Sequence, residues 1–133
     1  MTNDPLRAQR AMTVLRWVLS TLIFIHGAYR ISVGGVAGFG EWFASIGIPA
    51  GTPLAWTLTL MEVFGTPVLA WGRFQRPLAL WYATQLLVGV ILVHAPDGWF
   101  VVGGGRNGAE YSVLLVSGFL LTAWVAPPIR GPG

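Results

Sequence analysis

The chain has 133 residues, of which 54% are hydrophobic and only 10% charged, with a mean hydropathy of +0.65. A soluble domain carries roughly 25% charged residues, so the composition points to a bilayer and excludes a pair of soluble domains. There is no cysteine, which removes disulfides, thiolate metal sites and CxxC redox chemistry, and the net charge of +3 is placed at segment ends rather than in a nucleic-acid-binding patch.

Taken in chain order, the first predicted span covers about residues 11–31. Only 13 residues separate Arg16 from Arg30, so spanning requires both arginines to snorkel to opposite surfaces. The basic start, Arg7, Arg10 and Arg16, also fits a cleaved signal peptide, but no A-x-A site follows and more apolar segments do. Next, Phe39, Trp42, Phe43 and Ile46 fall at i, i+3, i+4 and i+7, which predicts a short amphipathic helix over about residues 38–46 lying in the membrane interface. The segment IGIPAGTP then breaks that helix, and Pro53 suits the first turn of a second span over about 53–72.

The turn at residues 72–76 is short, so the second and third spans, the latter over about 77–95, form an antiparallel hairpin. The stretch APDGWFVVGGGRNG reads as a turn-rich loop with an apolar centre. Its glycines lack the spacing and lysine of a phosphate loop. A fourth span over about 109–126 completes the expected fold, an all-α integral membrane four-helix bundle running up-down-up-down. Six of the eight arginines (Arg7, Arg10, Arg16, Arg73, Arg76 and Arg130) fall at one end of these spans. The positive-inside rule then places both termini in the cytoplasm. The seven tryptophans all fall near span ends, at headgroup level.

Polar side chains mark a candidate site in the other half of the bilayer. Glu62 lies in the middle of the run 53–71, roughly 13 Å from either end at 1.5 Å per residue. Thr59, Glu62 and Thr66 form a polar stripe at helical spacing that should face away from lipid. His26 is one turn below Arg30, Gln85 sits at nearly the depth of Glu62, His94 is at the rim of the third span, and Glu110 begins the fourth. A lone carboxylate at that depth costs about 2.5–3.5 kcal/mol. It should therefore be protonated, paired or at the floor of a water-filled cleft, with His26 and His94 on the walls. The plainer alternative makes these groups interhelical contacts worth about 0.6 kcal/mol each, and Glu110 a negative charge at a helix N-terminus.

The segments HGAYRI, TLMEVFG, VHAPDGWF and GGGRNGAEYS, in this order and spacing, resemble those of the DoxX family of small bacterial integral membrane proteins. The resemblance covers about residues 13–125 and implies a four-helix bundle in the bacterial inner membrane. Some relatives are linked to respiratory or sulfur-oxidation chemistry, including a thiosulfate:quinone oxidoreductase subunit. It transfers His26, Arg30, Glu62, His94, Asp97 and Glu110 as candidate positions. The C-terminal APPIRGPG departs from the family's glycine-rich ending.

Two functions follow as expectations. The chain is a quinone-linked subunit of a redox complex whose protein partner supplies electrons, because it has no cysteine, flavin motif or nucleotide fingerprint of its own. Alternatively, it is a non-catalytic assembly subunit, with the polar cluster fixing helix register. These readings leave open whether the chain is an enzyme. No covalent cofactor, metal or nucleic-acid partner is expected. Haem between His26 and His94 is disfavoured by their difference in depth, and a solute carrier by the lack of an inverted repeat.

Overall fold

The computed structural model describes residues 4–127. Arg130 and most of the APPIRGPG tail lie outside the described residues. Among the described residues the fold is all-α, with five helices: α1 (Pro5–Ser32), α2 (Val36–Ser45), α3 (Gly51–Ala70), α4 (Gln75–Asp97) and α5 (Glu110–Val125). By length and composition α1, α3 and α4 can each cross a membrane. The 16 residues of α5 rise about 24 Å, short of the roughly 30 Å hydrocarbon core.

Each helix boundary has a local cause. α1 begins well before the predicted position because Asp4 caps it: the Leu6 amide donates to Asp4 Oδ1 at 3.0 Å. Pro5 occupies the first helical position, where its missing N–H is not needed. Two prolines shape α3 and α4. Pro67 has no N–H to give the carbonyl four residues earlier, and Thr66 Oγ1 donates to the Glu62 carbonyl at 2.6 Å. The helix widens there into a π turn over Met61–Gly65. Pro96 follows a second π turn, Val90–His94. Thus Glu62 and His94 both sit in widened turns.

The chain divides into two compact units. One comprises Ser20–Trp71; the other combines the chain up to Leu19 with the chain from Gly72 onward. In the Ser20–Trp71 unit, α2 packs on α3 through Val36, Phe43 and Ala55, flanked by Phe39, Trp42, Leu54 and Leu58. The apolar face predicted to rest on the membrane interface is therefore largely covered by α3. Ile46 falls just past the helix and is exposed. The contact is close because Gly40 and Gly51 meet backbone to backbone: a Cβ on Gly51 would collide with the Gly40 carbonyl.

In the other unit α4 packs along α5. Tyr82 and Phe119 are buried with ring centroids 5.4 Å apart, and Gly118 admits the Leu19 side chain from α1. Arg16 Nη1 donates to Gln75 Oε1 at 3.1 Å, and Gln75 Nε2 to the Gly72 carbonyl at 3.1 Å. This ties α1 to the turn before α4.

Candidate functional site

The Ser20–Trp71 unit contains a buried ion pair. Arg30, near the C-terminal end of α1, donates from Nη1 to Glu62 Oε2 at 2.8 Å and to Thr59 Oγ1 at 2.8 Å. The two side chains are 13% and 2% exposed. Thr59 in turn donates its hydroxyl proton to the Ala55 carbonyl at 2.7 Å, so its oxygen is turned to accept from Arg30. The stripe Thr59, Glu62 and Thr66 is entirely buried.

Two features outside the sequence-derived set build this site. Gly27 lets α1 approach closely: a Cβ there would lie 2.6 Å from Glu62 Cβ and 3.0 Å from Oε2. Phe39, on α2, lies under the guanidinium, whose Cζ is 4.5 Å from the ring centroid. A cation over an aromatic face is stabilised by the ring quadrupole. Phe39 also stacks with Trp42 and contacts Phe43, so three aromatic rings form one wall. The spacing of Phe39, Trp42 and Phe43 was the visible signal for this wall; nothing in the sequence pointed it at Arg30.

The arrangement is an electrostatic clamp in which one terminal nitrogen of Arg30 holds both Glu62 and Thr59. Both bonds leave from Nη1, so they do not consume the donors on Nη2 and Nε. Arginine's planar fork suits carbonyl and carboxylate oxygens.

The other predicted residues are placed as follows. His26 is exposed on α1, and Gln85 is half-buried on α4. His94 and Glu110 organise the loop between α4 and α5. His94 Nδ1 lies 2.8 Å from the Asn107 carbonyl. A carbonyl only accepts, so Nδ1 carries the proton, and in the neutral ring Nε2 is the acceptor. Asn107 Nδ2 donates to Asp97 Oδ2. Glu110 Oε1 accepts from the Val101 amide at 2.9 Å, while the Gly108, Ala109 and Glu110 amides donate to the Phe100, Gly98 and Trp99 carbonyls. Glu110 is thus a loop clamp at the start of α5. Among the described residues no group of three or more metal-ligating side chains is assembled.

Comparison with known proteins supports the resemblance. No curated protein and no solved structure matches the chain. The DoxX family model matches residues 11–95, a stretch that carries His26, Arg30, Glu62, Gln85 and His94 and ends before Glu110. That is more than half of the sequence, and the chain belongs to the DoxX family.

Proposed function

We propose that this membrane protein is a subunit of a respiratory or redox assembly and offers the Arg30–Glu62 pair to the head of a membrane quinone. The observation that carries the reading is the pair itself: a buried carboxylate and guanidinium with an aromatic wall at Phe39. A quinone head is flat and apolar with two carbonyl oxygens, and its reduction takes up two electrons and two protons. Arg30 Nη2 and Nε would donate to one oxygen, Phe39 and Trp42 would flank the ring, and Glu62 would exchange protons. A protein partner would supply the electrons. His94, with its acceptor Nε2, and Glu110 belong to the other unit and are outside this proposal.

The proposed setting is the bacterial inner membrane, with α5 as a fourth span of an up-down-up-down bundle and both termini in the cytoplasm. Arginine placement supports that orientation.

A second reading, a non-catalytic assembly subunit, draws support from the same pair, because Thr59 and Glu62 already give Arg30 two acceptors. One experiment separates the two. Membranes carrying Glu62→Gln are assayed for quinone-dependent respiration, and the purified protein for co-extracted quinone. Loss of both with normal assembly supports the quinone site. Retention of both supports the assembly role.

A further inference from the structure

The five arginines of the described chain that the positive-inside argument used are gathered at one end of a single unit. The Arg16–Gln75 bond sets the N-terminal stretch of α1 beside the turn that carries Arg73 and Arg76. Arg7, Arg10, Arg73 and Arg76 are exposed. Arg7 has one weak acidic neighbour, Asp4 at 3.7 Å, and Arg16 is already committed to Gln75.

The 28 residues of α1 rise about 42 Å, against a core of roughly 30 Å. Counting about 20 residues back from Ile31 puts the membrane boundary near Met12. Arg10 then emerges at headgroup level, with Trp17 below it. On this face runs a groove of about 500 Å³, lined by Leu6, Gln9, Arg10, Thr13, Val14 and Trp17. It offers a cation and an amide above, and an aliphatic and an indole surface below. Phe74, between Arg73 and Gln75, adds a second exposed ring at the same end.

We propose that this groove is a binding site for an anionic phospholipid, with Arg10 on the phosphate and the acyl chain along Val14 and Trp17. Charge complementarity chooses the occupant. Four exposed guanidiniums attract anionic headgroups at a charged surface, and a zwitterionic lipid offers no net charge to match them. The recognition uses side chains over about three helical turns. The backbone amides of the helix start play no part, since those of Leu6, Arg7 and Ala8 all donate to Asp4.

The test is thermal unfolding of the purified chain in mild detergent with added phosphatidylglycerol or phosphatidylcholine. Phosphatidylglycerol should raise Tm by about 5 °C more than phosphatidylcholine, as expected for a ligand near ten times its Kd in a domain of this size. Arg7→Gln with Arg10→Gln should remove at least about half of that difference, while Arg106→Gln, in the loop beyond the far end of α4, should leave it intact. Equal stabilisation by both lipids overturns the proposal. So does an unchanged preference in the double variant, or the same shift from soluble glycerol phosphate, which would mark a simple phosphate site.

Discussion

Arg30 Nη1 lies 2.8 Å from Glu62 Oε2, and both side chains are withdrawn from solvent. The charge that looked isolated in the sequence is therefore neutralised across 32 residues of chain, between the end of α1 and the π turn of α3.

Breaking that pair should cost far more than replacing it. Glu62→Leu leaves a buried guanidinium without its counter-charge, and stability should fall by about 3–5 kcal/mol. Arg30→Met combined with Glu62→Leu should recover most of the loss. A double-mutant cycle by denaturant titration in detergent measures the coupling; additive losses would show the two groups to be independent.

The close approach at Gly27 gives a second expectation. Gly27→Ala places a methyl against the Glu62 side chain and should destabilise by about 1–3 kcal/mol through overpacking. Gly89→Ala is the control, since nothing lies within 4 Å of its added Cβ. That variant should stay within about 1 kcal/mol of the parent.

The aromatic wall can be tested apart from the charge. Phe39→Leu keeps apolar volume but removes the ring beneath Arg30, and should cost about 0.5–2 kcal/mol. In an Arg30→Met background the same change should cost less, because no cation remains to lose. Equal losses in both backgrounds would mean the ring acts by packing alone.

At the α4–α5 loop, Glu110→Ala should speed hydrogen exchange at the Val101 amide about tenfold, the equivalent of one net hydrogen bond. Glu110→Gln retains an acceptor oxygen and should leave that amide protected. Similar exchange in both variants would argue against the Glu110 clamp.

Much of this architecture could be read from the sequence, because apolar runs of fixed length have few uses other than spanning. The intramembrane glutamate and the aromatic periodicity at residues 39–43 were equally visible. Their mutual arrangement was not. Pairing Arg30 with Glu62 depends on how α1 and α3 rotate about their axes, and that is decided by Gly27, a residue with no polar signature. The π turns had a readable signal in Pro67 and Pro96, but a proline alone does not say whether a helix will kink, stop or widen. The early start of α1 was also encoded locally, in Asp4 and Pro5.

The order of synthesis gives the ion pair one more consequence. Arg30 leaves the ribosome before Glu62, so α1 meets the bilayer while its guanidinium is still waiting for a counter-charge. Only a nascent chain whose following helix docks correctly retires that charge. A copy that fails to do so carries a standing electrostatic defect near the bilayer edge, by which unfinished molecules differ physically from finished ones.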